Sequence, residues 1–173
     1  SMPIEDLRTM VAHAAGFTAK YSLSSLVCDE ESAFASVKAK AQRVAKSKKH
    51  ILLLGEAGTG KQRMAHGIHQ ASRQAQGPFI IYQCGDSTPD IMEQELFGIS
   101  VNKDVSHPGK LELADGGTLF IDDIEKMPMD LARTLAATLV TMESRRVGES
   151  TSRHINVRII AACDGELRRY VER

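Results

Sequence analysis

The 173-residue sequence predicts an α/β fold built on a parallel sheet, and three observations carry that prediction. Four short apolar runs, Ile51–Leu54, Phe79–Tyr82, Thr118–Ile121 and Val157–Ala161, each have the length of a buried strand. None alternates cleanly, which is the pattern of strands covered on both faces. Segments with helical spacing lie between the runs, and regular strand–helix alternation is the mark of parallel crossovers. Finally, the first run leads directly into a glycine-rich turn and the third ends in two acids, so chemistry sits at strand ends.

Composition bounds the function. Lys+Arg and Asp+Glu number 22 each, which excludes a strongly basic nucleic-acid binder and an acidic disordered tail. There is no Trp and only 5 % aromatic residues, so a base-stacking platform is not expected. No apolar run is long enough to span a bilayer and the N-terminus lacks a signal-peptide pattern, so a cytoplasmic location is expected. Cys28, Cys84 and Cys163 are odd in number and far apart, which argues against a disulfide framework or a zinc pair.

In chain order, Pro3–Ala15 reads as a short helix that Gly16 stops, and Tyr21–Val27 is Ser-rich and irregular. Phe34, Val37, Ala41 and Val44 recur at helical spacing among Lys38, Lys40, Arg43 and Lys46, predicting an amphipathic helix over Glu31–Lys46 with a solvated basic face. Further helices are expected over Gly60–Ser72, Pro89–Phe97, Met129–Met142 and Gly165–Val171. His66 and His69 are three apart on the second of these helices; without a third ligand in view, they read as packing or solvent-facing groups.

The turn after the first run is Gly55-Glu56-Ala57-Gly58-Thr59-Gly60-Lys61-Gln62, which matches G-x-x-x-x-G-K between a strand and a helix. Its glycines let successive backbone N–H groups point at one phosphate, and the following helix adds its positive end. Lys61 supplies a cation for the outer phosphates. Gln62 stands where Ser or Thr usually offers a hydroxyl to Mg²⁺. The second motif is Leu119-Phe120-Ile121-Asp122-Asp123, an apolar strand that delivers acid at its C-terminal end. This is a Walker B pattern: Asp122 would hold Mg²⁺ and Asp123 would orient the attacking water.

Together, Gly55–Gln62, Glu95-Leu96-Phe97-Gly98, Leu113–Asp122, Arg146-Val147-Gly148 and Val157–Ala162 resemble the AAA+ domain of bacterial sigma-54-dependent transcription activators. The resemblance runs from about Ser25 to Val171, which leaves residues 1–24 as an arm or linker and 25–173 as the core. It implies a P-loop three-layer sandwich that binds ATP or ADP with Mg²⁺. It further implies assembly into a ring in a longer protein, whose DNA contacts come from a separate domain. Leu26-Val27 resembles the segment that packs near the adenine, so Val27 is expected at the base. The last residue falls about where the family's arginine-finger segment, fifth strand and lid begin, so a core without its lid is expected.

Departures from the family shape the expected function. The GAFTGA loop that touches sigma-54 is missing, since Gly98 and Gly109 are joined by only Ile99–Pro108; direct sigma-54 engagement is therefore doubtful. Asp123 replaces Glu, which withdraws the carboxylate by roughly 1.5 Å. A misplacement of about 1 Å can cost on the order of 10²-fold in rate. Glu125 lies nearby in sequence but is not expected in the same place. Gln83 stands where the family has an Asn that holds that Glu, so a longer amide could meet the shorter acid. Asp164 replaces a γ-phosphate-sensing Asn and needs a neighbouring cation or Mg²⁺ to screen it. Arg145 and Arg146 would either face a neighbouring subunit or decorate an exposed turn.

Two functional readings follow. The first is the ATP-binding, and ATP-hydrolysing, core of a sigma-54-activator-type regulator, with Lys61 and Asp123 catalytic and Asp122 on the metal. The second is a degenerate nucleotide-binding or oligomerisation module that regulates transcription without remodelling sigma-54 polymerase.

Overall fold

The computed structural model describes Leu23 and residues 33–85, 87–101 and 106–164. The expected helices over 3–15 and 165–171, and the 21–27 segment apart from Leu23, Val27 included, lie outside these residues. Within them the chain runs α1 (Ala33–Ala45), β1 (Ile51–Leu54), α2 (Lys61–Gln70), β2 (Phe79–Gln83) and α3 (Pro89–Phe97). A hairpin of β3 (Gly98–Ser100) and β4 (Ser106–Pro108) follows, then α4 (Lys110–Leu113) and β5 (Thr118–Asp122). A 3-10 turn over Ile124–Lys126 leads to α5 (Met129–Thr141), a second hairpin of β6 (Glu143–Arg145) and β7 (Ser152–His154), and β8 (Arg158–Cys163).

The four apolar runs become one parallel sheet in the order β1-β8-β5-β2. Period-two side-chain alternation splits each strand between two cores. Phe120, Ile160 and Ala162 face α1 and α2, where Ala41, Ala45, Met64, Ala65 and Ile68 close over them. Leu119, Ile121 and Ile159 face the other way, against Met92, Leu96 and Phe97 of α3, Leu111 of α4 and Leu131 and Leu135 of α5. The result is the three-layer α/β sandwich that the sequence predicts.

Strands covered on both faces are found only at the centre. β5 and β8 are buried almost throughout, but β1 and β2 lie at the sheet edges, where β1 alternates half-buried and exposed residues and β2 buries Ile80 and Tyr82. Leu52 and Leu54 are 45 % and 61 % exposed and Ile81 is 42 % exposed. An apolar run reports strand formation, whereas its position in the sheet decides coverage. The two hairpins have three-residue strands, too short to show a period.

A buried cation ties the helix before β1 to the sheet. Arg158 at the start of β8 donates to the carbonyls of Val44 (2.7 Å), Ala45 (3.0 Å) and Lys49 (3.2 Å). It thus satisfies carbonyls that the end of α1 leaves without a helical partner.

His66 and His69 pack against the sheet. Both rings lie against Phe79, and His69 Nδ1 sits 2.9 Å from Thr118 Oγ1, deep under β5. Burial, reinforced by His66, pushes the His69 pKa down to about 4. Unfolded, the ring takes its proton near pH 6.5. The unfolded chain therefore binds more protons between these values, and stability falls as pH drops from about 6.5 to about 4. The loss expected from this ring is about 3 kcal/mol. Urea unfolding at pH 7.5 and pH 4.5 measures it, and His69→Gln should flatten the difference by that amount.

Candidate functional site

Parallel strands deliver their C-terminal ends to one edge of the sheet, where ligands bind in open α/β folds. Here that edge carries the glycine loop after β1, Gln83 at the end of β2, Asp122 and Asp123 at the end of β5, and Asp164 after β8. Gly55 N–H donates to the Cys163 carbonyl (3.3 Å), which pins the loop to β8. Gly58 and Gly60 have φ of 79° and 87°, left-handed values that only glycine adopts without cost. They curl Glu56–Thr59 outward into solvent and start α2 at Lys61.

Lys61 organises the loop. Its ammonium donates to the carbonyls of Gly55 (2.7 Å) and Glu56 (3.1 Å) and to Asp164 Oδ1 (3.1 Å). Three acceptors match the three N–H groups of a lysine. The cation that Asp164 requires is therefore the loop lysine itself, reached across 103 positions of sequence. Gln62, next to it, is exposed.

The acids after β5 are arranged by an unusual backbone. Asp123 has φ 50° and ψ 46°, a left-handed conformation that Asp tolerates better than most residues. Its N–H donates to Asp122 Oδ1 (3.1 Å). Its own Oδ2 accepts from Gln83 Nε2 (2.9 Å) and from Lys126 Nζ (2.7 Å). The long amide does meet the short acid. The cation on Asp123, Lys126 from the 3-10 turn, is not visible in the strand motif.

The same turn corrects the expectation for Glu125. The left-handed step at Asp123 folds the chain back, so that Glu125 Oε1 lies 3.5 Å from Asp164 N at the end of β8. Carboxylate oxygens of Asp123, Glu125 and Asp164 all lie within 4.8 Å of one another. Beneath them, Cys84 is fully buried, and burial together with Asp123, Glu125 and Asp122 pushes its thiol up to about 12. Cys163 is also fully buried and its thiol is raised, chiefly by burial. Both remain protonated packing groups.

Arg146 is corrected too. It is 8 % exposed and forms a two-pronged pair with Glu112, Nε to Oε1 at 2.6 Å and Nη2 to Oε2 at 2.7 Å. It is buried, whereas Arg145 is exposed. A groove of about 520 Å³ lies between α3, α5 and the second hairpin, lined by Phe97, Thr134, Thr138 and Arg145 among others. None of the loop or strand-end residues lines it, so chemistry rather than size marks the site.

A glycine loop bound to a parallel strand, a lysine at the head of the next helix and an acid-bearing strand beside it define a P-loop NTPase core. The chain belongs to the sigma-54 interaction domain family, which it matches over residues 27–173. It is 36 % identical over 177 aligned positions to the Nif-specific regulatory protein of Rhodobacter capsulatus, covering 98 % of this chain and 30 % of that protein. It resembles the crystal structure of NtrX from Brucella abortus in complex with ATP at a TM-score of 0.77 and 28 % identity, over 94 % of this chain and 37 % of that one. A P-loop NTPase domain of a sigma-54 activator from E. coli matches at a TM-score of 0.52 and 25 % identity, over 78 % of this chain and 89 % of that one. The chain spans under a third of the curated relative's length.

Proposed function

We propose that this domain binds ATP and ADP in the Gly55–Gln62 loop and hydrolyses ATP as the core of a transcription regulator. The observation that carries the reading is Lys61, which heads α2 inside the glycine loop and is bonded to the end of β8. Solved complexes of NtrX with ATP and with ADP, on a similar fold, support it. Gly55, Glu56, Ala57, Gly58, Thr59 and Gly60 would present backbone N–H groups to the phosphates, and Lys61 would neutralise the outer ones. Val27 is assigned to the base by resemblance alone.

The residues present fit Mg²⁺. Asp122 offers a hard carboxylate at the strand end, and the amide oxygen of exposed Gln62 is a second hard donor. When bound, the ion would neutralise charge that develops on the phosphates. Asp123, held by Gln83 and Lys126, would orient the attacking water.

Ring assembly and a separate DNA-binding domain complete the proposal for the whole protein. Sigma-54 contact is left out of it, because the Ile99–Pro108 connection lacks GAFTGA. A cytoplasmic location is part of it; among the described residues no helix is long and apolar enough to cross a membrane.

Titration of the full-length protein with fluorescent ATP and ADP, with turnover measured alongside, tests the reading. Saturable binding with Mg²⁺-dependent phosphate release is expected; no binding refutes it. Asp164 sharpens the test. It occupies one N–H of Lys61 and sets an anion, half-exposed, beside the phosphate position. Asp164→Asn should therefore tighten ATP binding by about 3- to 10-fold, and more so at low salt.

A further inference from the structure

We infer that Glu125 is the residue that takes the proton from the attacking water, while Asp123 positions it. The inference rests on the ATP-hydrolysing reading above. Three observations carry it. First, Asp123 Oδ2 already accepts from both Gln83 and Lys126, at 2.9 and 2.7 Å. An oxygen that already accepts from a cation and an amide has both lone pairs engaged and is left to hold the site in place. Second, Glu125 Oε2 is buried and has no hydrogen-bond partner among the described residues. A buried carboxylate oxygen without a partner is costly and calls for a polar group supplied in function.

Third, Glu125 is aimed at the phosphate side of the site. Its other oxygen faces Asp164 N, and Asp164 Oδ1 is bonded to the Lys61 ammonium. The carboxylate thus stands two contacts from the cation assigned to the outer phosphates. The left-handed turn at Asp123 produces this placement, since it brings a side chain two residues further on back over the end of β8. A glutamate reaching from the turn restores the length that Asp123 lacks at the strand end.

In the step proposed, Glu125 accepts a proton from water as the water oxygen bonds to the γ-phosphorus of ATP. The bond between that phosphorus and its bridging oxygen breaks, and the electron pair leaves on the β-phosphate of ADP. No oxidant or further reactant is needed. Asp123 stays bonded to Gln83 and Lys126 throughout.

The test compares Glu125→Gln, Glu125→Asp and Asp123→Asn in the full-length protein, with ATP affinity, turnover and thermal melting measured for each. Glu125→Gln should lower kcat by on the order of 10²- to 10⁴-fold while ATP affinity changes less than about 3-fold. Glu125→Asp should retain part of the rate, and Asp123→Asn should lose about 10-fold. Glu125→Gln turning over within about 3-fold of wild type, or Asp123→Asn losing more than Glu125→Gln, overturns the inference. Wild-type protein that binds ATP without releasing phosphate overturns the hydrolysis reading and this role together. Wild-type protein that binds no ATP overturns the nucleotide site itself.

Discussion

Lys61→Ala is expected to weaken ATP binding by on the order of 10²-fold or more. The ammonium donates three hydrogen bonds, two to loop carbonyls and one to Asp164. Its removal deletes charge-assisted bonds to phosphate, each worth about 1.5–3 kcal/mol. It also leaves Asp164 without its cation, so a carboxylate then repels the phosphates. The two contributions can be separated. Lys61→Ala combined with Asp164→Asn should recover about 5- to 10-fold of the loss, because only the repulsion is relieved. Fluorescent-ATP titration reads both variants. Melting curves with and without nucleotide give a second readout, since saturating ligand stabilises wild type by mass action and should no longer do so in Lys61→Ala. Equal affinity for the single and double variants would show that Asp164 exerts no repulsion.

Arg146→Met is expected to destabilise the fold by about 3 kcal/mol or more. Arg146 and Glu112 are 8 % and 4 % exposed at their side chains and are bonded by two parallel contacts. Arg146 also donates to Ser106 of β4. One guanidinium therefore joins α4, the first hairpin and the second hairpin. The hairpins are further stitched by Ser100 N–H to the Val147 carbonyl and Val147 N–H to the Gly98 carbonyl, both at 2.9 Å. Breaking a buried pair from one side strands the other charge, which costs about 3–5 kcal/mol. Arg153 Nε lies 3.9 Å from Glu112 and tempers the loss, although its guanidinium is already committed to Glu149 at 2.6 and 2.8 Å. Replacing both partners, as Arg146→Met with Glu112→Leu, should recover most of the stability, because no buried charge is left unpaired. Urea unfolding of the two single variants and the double variant forms the cycle. A double variant as unstable as Arg146→Met would show that the pair is needed for its geometry rather than its charge balance.

Much of the site was legible in the chain because it is local. Gly55–Lys61 needs only a strand before it and a helix after it, and both are written in adjacent residues. Asp122 is one step past an apolar run, so its delivery to the strand end follows from the length of the run. Pro89–Phe97 has the expected ends, and the other described helix ends differ by two residues at most, because capping depends on which backbone groups find partners. The last turn of α1, for example, is satisfied by Arg158, more than a hundred positions away.

The tertiary structure decided everything that depends on sheet order and chain reversal. Apolar content predicts a strand but not whether it lies at the centre, so Leu52, Leu54 and Ile81 were expected under cover and are exposed. Arg145 and Arg146 are adjacent and alike in sequence, yet the β6–β7 hairpin turns one outward and buries the other against Glu112. Glu125 is two residues beyond Asp123 in the chain, yet its carboxylate lies within 4.8 Å of that of Asp123. The left-handed step at Asp123 removes that separation.

By itself, then, the sequence determined the α/β class, the glycine loop, its lysine and the acid at the end of β5. Each of these is a short-range pattern whose geometry the backbone enforces over a few residues. The structure alone decided that Lys61 is the cation beside Asp164, that Lys126 joins Gln83 on Asp123, and that Glu125 lies beside them. Those contacts form where β2, β5 and β8 end side by side, and adjacency in a sheet is set by packing the whole chain around two cores.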